Sequence, residues 1–517
     1  MKRSNLTKGR LGLCVLPIGC FIILTLAAMS NTPRESLQSS GWTIPQIIST
    51  STISETVYSW FPDLAVDEFS SVHAIWSSTR PLPNSGLQEQ ESYSRLTRSG
   101  WSKPNDIVPP SPDIFRNAIA SDLNGHVLML FRGSINNKPL TLYYTQANVE
   151  EAWSAQAWTH NYQINRGSAY LSDIAVDSHG VIHVIYDDTY HFSGQENQVV
   201  YADIYYRKST DGGMTWSSPI NLSNSPETGS ARSYLEVDSS DTIHVTWDEG
   251  WDRLSGVEAD SLYSAYTNSK DEGESWSAPK NISYPNDTPV QLSVGANGKG
   301  SVMLVWRSKL DQRIYYQWSS DNGVIWSVPP TIPNIFARPW SIPFDMYHMA
   351  TDSNGNIHLI LVGQLQKNNP IPGVYHLVWN GKWWSNPEKI FQQDNLYPEY
   401  PKIVISEGNQ IHAVWFTREG SMWTQSNRQV WYSRSQADAP HVAFSPRPTP
   451  TTPSALFTQT PHPSPTPRPT ISSIGIDTPS STKETDYLKI LAFALSPVVL
   501  LIGAVVTIKL WARSRGR

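Results

Sequence analysis

Cysteine is nearly missing from this 517-residue chain. Its two copies, Cys14 and Cys20, both lie in an apolar segment near the N-terminus. The remainder therefore forms no disulfide and offers no thiol chemistry. A phosphate-cradling Gly-rich loop and the paired Cys/His spacing of zinc sites are also missing, which removes nucleotide hydrolysis and structural zinc from the candidates. No cofactor and no metal is implied. Basic charge stands without acid at the ends: residues 1–10 and 509–517 hold eight Lys or Arg and no acid, so the net −6 of the whole chain leaves −14 for the part between. A surface that acidic excludes nucleic acid as a partner. It suits solubility outside a cell.

What the chain does have is a phrase that recurs seven times. An apolar run ends in Asp, a turn of small residues follows, and then Val/Ile-His-Val-x-Trp. The clearest copy runs from Asp173 through Asp177, Gly180 and His183 to Tyr186. Others are Asp63 to Asp67 with His73 and Trp76, and Leu235 to Asp238 with His244 and Trp247. Weaker copies reach Leu128, Met303, His358 and His412, so the steps between successive copies are 55, 55, 61, 59, 55 and 54 residues. A fixed period of this size marks a repeat architecture in which no unit buries its apolar face alone. Within each repeat, short alternating runs bounded by Gly, Asn, Asp and Ser read as strands. The third repeat gives four: Tyr170 to Val176, Val181 to Tyr186, Asp203 to Lys208 and Trp216 to Leu222. Four antiparallel strands in about fifty residues make one blade of a β-propeller.

The turn between the third and fourth strands (c and d) carries a second signature, Ser-x-Asp-x-Gly-x-x-Trp. It is present with Asp211, Gly213 and Trp216, with Asp271, Gly273 and Trp276, and with Asp321, Gly323 and Trp326. Asp accepts bonds from turn amides, Gly takes a positive φ, and the Trp is expected to pack into its own blade. Repeat one has the shortened Arg98-Ser-Gly100-Trp101, repeat two has Asn148 to Trp153, and repeat six has Asn380-Gly381-Lys-Trp-Trp384. Repeat seven stops after Val430 to Ser433. Its missing strand d is read at the other end of the chain, in Trp42 to Ile48, where it closes the last blade and removes an open edge. These turns resemble the Asp-box (BNR) repeat of sialidases and related propellers. The expected fold is all-β, a seven-bladed propeller over 41–435, with six blades as the alternative because sialidases have six.

The ends are targeting and anchoring segments. Residues 1–30 have the order of a signal peptide, with an uncleaved anchor as the alternative. Residues 436–485 are rich in Pro, Thr and Ser and form no core, which makes them a stalk. Residues 487–511 are apolar and long enough for a transmembrane helix. The basic 512–517 stay cytoplasmic, which places the propeller outside the cell as a single-pass, monomeric domain. Asn221, Asn281 and Asn286 stand in glycosylation sequons.

Repetition separates scaffold from site. His73, His183, His244, His358 and His412 share one register and cannot converge on a metal. Asp67, Asp122, Asp177, Asp238 and Asp352 cap the turn after the first strand. Candidate ligand-binding residues are those that break the pattern on the opposite face, beside the axis: Arg116, Arg132, Arg232, Arg307, Arg338, Arg418, Asp188, Asp248 and Trp251. Arginine is the residue for a bidentate hold on a carboxylate. The sialidase resemblance implies three arginines on a carboxylate, a Tyr nucleophile activated by Glu, and an Asp acid. In this chain those roles fall to Arg116, Arg232 and Arg338, to Tyr400 with Glu249, and to Asp187. The family's early Arg-Ile-Pro is absent; Phe115-Arg116-Asn117-Ala118 stands in the second repeat instead. Two functions follow as expectations: an anchored, non-catalytic propeller that binds a glycan or an extracellular protein, or a sialidase-like exo-glycosidase.

Overall fold

In the computed structural model the described residues run from 41 to 443, apart from 50–57, 83–85, 98, 109–114, 136–137, 190–200, 226–227, 251–261, 285–288, 340–345 and 421–426. The N-terminal apolar segment, most of the Pro/Thr/Ser-rich stretch and the 487–511 run lie outside them. Among the described residues the only helix is one 3-10 turn, Ala155–Ala157, and no helix is long and apolar enough to cross a membrane.

Everything else is antiparallel sheet, with one parallel bridge. Seven groups of strands follow one another along the chain, each built around an innermost strand a. These inner strands are Tyr58–Val66, Phe115–Ser121, Ser172–Val176, Ser230–Val237, Pro289–Ala296, His348–Thr351 and Leu396–Ser406. Each touches the next, and the seventh touches the first. Strands b and c pair outward in every group, and a short strand d completes most of them. The seventh group takes its outer strand from the other end of the chain: Gln46 lies opposite Tyr432 and Ile47 opposite Trp431. Thr43 and Ile48 add backbone bonds to Arg434 and Val430 at 2.9 Å each. The one parallel bridge, Tyr58 to Arg428, ties the first group to the seventh. The architecture is a β-propeller.

The third sheet shows how the expected strands shift. Strand b extends to Asp188 and strand c is Asp203–Ser209, but strand d shrinks to Ile220–Asn221. Pro219 cannot donate to a ladder. The Arg207 side chain takes the carbonyls of Trp216 and Ser217 in its place.

The recurring Asp and His have one job each. Asp67 Oδ1 accepts the amides of Phe69 and Ser71 at 2.8 and 2.7 Å, which closes the a–b turn. Its Oδ2 meets His73 Nε2 at 3.0 Å, and His73 Nδ1 meets the Tyr93 hydroxyl at 2.7 Å. The same Asp–His–Tyr file recurs as Asp177–His183–Tyr206 and Asp238–His244–Tyr266. The sixth sheet has Asp352–His358–His376 and the seventh Ser406–His412–Tyr432. Each file stays inside its own sheet, so His73, His183, His244, His358 and His412 do not converge on one another.

The turn tryptophans reach beyond the blade the sequence suggests, although Trp384 also meets Trp379 of its own sheet at 5.6 Å. Each reaches back to the strand c aromatic of the preceding sheet. Trp101 meets Tyr432, Trp158 meets Tyr93, Trp216 meets Tyr144, Trp276 meets Tyr206, Trp326 meets Tyr266, Trp384 meets Tyr316, and Trp42 meets His376. All seven pairs are edge-to-face, with centroids 4.9–6.1 Å apart. Such a pair contributes about 0.5–1.5 kcal/mol beyond the area it buries. In the second sheet the seat belongs to Trp158 and not to Trp153, which is 64% exposed. Close approach also explains the box glycine. A Cβ on Gly213, which has φ +84°, would stand 2.2 Å from the Tyr144 ring.

Trp42 fills the seat that joins the chain ends, and its indole N–H also bonds Glu388 Oε2 at 3.1 Å. Trp42→Ala therefore removes a buried ring and the last of the seven contacts. A loss of about 3–5 kcal/mol is expected, read as a lower urea midpoint. An unchanged midpoint would mean that the N-terminal strand does not hold the ring closed.

Candidate functional site

The a–b and c–d turns lie at one end of every sheet, and the b–c and d–a connections at the other. The inner strands enter from this second, loop face. Five of them are bulged there, with register slips after Trp60, Phe115, Ala231, Val290 and Glu399. In each bulge a non-glycine residue has positive φ: Phe61 (50°), Arg116 (67°), Arg232 (54°), Gln291 (60°) and Tyr400 (53°). A bulge re-aims a side chain, and such a φ costs on the order of 1–3 kcal/mol. The backbone device is repeated, but the side chain it presents differs from sheet to sheet.

Three of these side chains meet. The Arg116 guanidinium lies 3.7 Å over the Phe61 ring, and Phe61 meets Tyr400 edge-on at 5.4 Å. Arg116 also donates to the Tyr170 hydroxyl at 2.8 Å, and Arg132 lies 4.9 Å over the same Tyr170 ring. Tyr170 and Tyr400 are half-buried.

The other candidate charges are set into the scaffold. Arg232 Nη1 pairs with Asp248 Oδ2 at 3.1 Å, and both side chains are buried. Asp248 also takes the Ser264 hydroxyl at 2.7 Å and the Gln291 amide of the next sheet at 2.8 Å. Glu399 accepts a bond from Arg418 and lies 3.8 Å from Arg338. Arg307 donates to the Arg338 carbonyl at 2.6 Å. All six candidate arginines are buried. Asp187 accepts the amides of Tyr170 and Leu171 at 2.5 and 2.9 Å, and burial pushes its carboxyl up to about 7. Asp188 accepts the amides of Arg166 and Gly167 at 2.9 Å each. Glu249 accepts bonds from Thr228, from Ser230 at 2.8 Å and from the Trp247 indole at 3.1 Å, and burial raises its carboxyl. Trp251 lies outside the described residues.

Below the bulges, charged groups converge across the axis. Lys402 Nζ lies 3.5 Å from Asp63 Oδ1 and 5.8 Å over the Tyr234 ring, and Tyr234 meets His348 edge-on at 5.1 Å. Asp63 Oδ2 accepts the Ile119 amide at 3.1 Å, and Asp173 Oδ2 accepts the Leu235 amide at 3.0 Å. These carboxylates satisfy inner-edge amides of the next sheet, groups that no strand ladder reaches. Burial raises the carboxyl of Asp63, and that of Asp173 to about 6. Burial works against the Lys402 ammonium, but Asp63, Tyr400 and Asp173 outweigh it and hold the charge in place. Sequence reasoning missed both Lys402, which pairs with Asp63, and Asp173, which holds the Leu235 amide. They come from the seventh and third sheets and share no motif.

Tyr400 is placed among these groups. Burial raises its phenol, and its charged neighbours are Lys402, Arg116, Asp63 and Asp173. The bonds of Glu249 run to Thr228, Ser230 and Trp247, so Glu249 and Tyr400 have separate surroundings. For a metal, the described residues bring Asp177, His179 and Glu272 within reach of one another. Asp177 is already committed to its own turn and to His183.

Fold and turns together define a propeller of the Asp-box type. Residues 174–413 match the family described as the BNR repeat-like domain. Over that stretch the chain is similar to this family, and its fold is a β-propeller. No curated protein matches it in sequence. Solved structures with a similar fold include a protein of unknown function from Dyadobacter fermentans DSM 18053, 13% identical with a TM-score of 0.47, over 77% of this chain and 99% of that one. The NanB sialidase of Streptococcus pneumoniae is 15% identical with a TM-score of 0.42, over 76% of this chain and 70% of its own. The intramolecular trans-sialidase of Ruminococcus gnavus is 12% identical with a TM-score of 0.41, over 74% and 95%.

One buried acid between the first two sheets sets a pH dependence. Glu91 accepts bonds from Ser77 at 3.0 Å and from Asn117 at 2.5 Å, and burial pushes its carboxyl up to about 8 from an ordinary value of 4.5. The folded state thus holds this proton more tightly than the unfolded chain does. Stability from this group is full below about pH 4 and is lost as the pH rises to about 8. In urea titrations across that window, Glu91→Gln is expected to flatten the decline. An unaltered slope would assign the decline to other groups.

Proposed function

We propose that this chain is a membrane-anchored extracellular propeller of seven blades that binds a glycan or protein ligand on its loop face without turning it over. The observation that carries this reading is the pairing of its arginines. A sialidase-like site needs three guanidinium groups open to one substrate carboxylate. Here Arg232 is joined to Asp248, and Arg338 lies beside Glu399, which Arg418 also holds. A substrate carboxylate would have to displace a buried carboxylate from each, and breaking such a pair costs about 3–5 kcal/mol. The phenol of Tyr400 is raised by burial, the opposite of what an activated nucleophile requires.

The loop face offers aromatic rings instead. Tyr170, Tyr397 and Tyr400 are half-buried and lie next to arginines. Ring faces of this kind suit the apolar faces of sugars and the side chains of a protein ligand. Anchoring rests on the order of segments in the sequence: a signal-like start, a Pro/Thr/Ser-rich stretch, an apolar run over 487–511 and a basic tail. One observation favours the rival glycosidase reading, namely that Tyr400 and Arg116 share surroundings through Phe61.

The purified protein is expected to leave a fluorogenic sialoside intact while it binds a subset of an acidic-glycan or cell-surface-protein panel. Turnover that disappears in a folded Arg232→Ala variant would replace the binding reading with the glycosidase one.

A further inference from the structure

The three Asp boxes are not equal. In the first, Asp211 accepts the Thr215 amide at 2.9 Å and the Thr215 hydroxyl at 2.5 Å. In the second, Asp271 accepts the Ser275 amide and hydroxyl at the same two distances. In the third, Asp321 accepts the Ile325 amide at 2.8 Å, but residue 325 has no hydroxyl to add. This turn gives up one charge-assisted bond of its own. Instead it displays Val324 and Ile325, 71% and 72% exposed, with Val328 beyond them at 83%. The c–d turn of the next sheet is tipped by Trp383, 62% exposed, with exposed Lys382 beside it. Trp318 of the fifth sheet and Trp379 of the sixth, each at the end of strand c next to its c–d turn, lie 5.9 Å apart. Among the described residues these apolar tips are left exposed, and an exposed apolar patch marks a contact surface.

The chemistry selects one partner. Turn tips are convex, whereas a specific protein interface needs roughly 800 Å² of matching surface on each side. β-branched apolar tips beside Trp and Lys are the anchors that favour a bilayer interface, the ring at headgroup depth and the ammonium against lipid phosphate. The chain also leaves the propeller on this same face. Val442 donates to the Glu407 carbonyl at 2.8 Å, and Ser353 donates to Pro440 at 2.6 Å, so residues 437–443 are held along the a–b turns. The apolar run over 487–511 follows later in the sequence.

We infer that the c–d turns of the fifth and sixth sheets rest on a lipid bilayer, with Val324, Ile325 and Val328 inserted, Trp383 at the interface and Lys382 facing phosphate. The loop face then points away from the lipid. This inference rests on the anchoring reading above.

The test uses the full chain with Cys14→Ala and Cys20→Ala. A single environment-sensitive probe is attached at Ile325→Cys or, as the opposite-face control, at Leu365→Cys. The protein is reconstituted in vesicles of phosphatidylcholine and phosphatidylglycerol. At position 325 the emission is expected to shift to the blue and to be quenched by brominated lipid; at 365 neither change is expected. If the chain does not float with the vesicles, anchoring fails and this inference falls with it. If it floats but the two positions respond alike, the inference alone is overturned. A shift at 325 that depends on protein concentration without lipid would assign the surface to a second copy. Stability is checked with Ile325→Thr, which restores the missing hydroxyl. It is expected to fold at least as well as the parent and, carried beside a probe at Lys382→Cys, to weaken the quenching.

Discussion

Closure of this ring depends on a tryptophan edge set against the strand c aromatic of the sheet before it. The contact recurs at all seven junctions, including the one built from the two ends of the chain. A single four-stranded sheet has two faces to cover and cannot cover either alone. The Trp turn supplies the cover and fixes the angle at which the next sheet arrives. The same aromatic ring is often the end of the Asp–His–Tyr file, so one line of contacts runs from an a–b turn to the neighbouring c–d turn. The second sheet has Leu128 where the histidine would stand, and the fifth has Met303. Trp216 on Tyr144 and Trp384 on Tyr316 persist there. The aromatic step is therefore the constant, and the polar file is an addition to it.

A closed ring leaves its inner edges facing one another across a narrow axis. Their amides need acceptors that no ladder provides. Asp63, Asp173 and Asp248 supply them from the preceding sheet, and each brings a charge that must itself be balanced. Lys402 answers Asp63, and Arg232 answers Asp248. Much of the charge near the axis is thus consumed by the construction of the wheel. This is why a loop face that looks rich in ligand-seeking arginine in sequence becomes, in three dimensions, a set of buried pairs with aromatic rings between them.

The repeat, the strand count per repeat, the turn glycines and the N-terminal strand in the last sheet were all legible in the chain itself. Each is local, or is a gap in a periodic pattern that one segment can fill: the seventh repeat lacked an outer strand, and Trp42 to Ile48 had no other place to go. The histidines were legible as scaffold because one residue per period cannot converge. The destination of the tryptophans was not. Trp153 and Trp158 stand in the same turn, and only the position of Tyr93 in the preceding sheet decides that Trp158 is seated and Trp153 exposed.

Sequence by itself determined the architecture, because alternation, turn chemistry and period act over short distances and repeat until they are unmistakable. Tertiary structure alone decided which charges answer which. Arg232 and Asp248 are separated by a turn, but Lys402 and Asp63 come from opposite ends of the propeller sequence. Their pairing depends on distances across an axis that does not exist until the ring has closed.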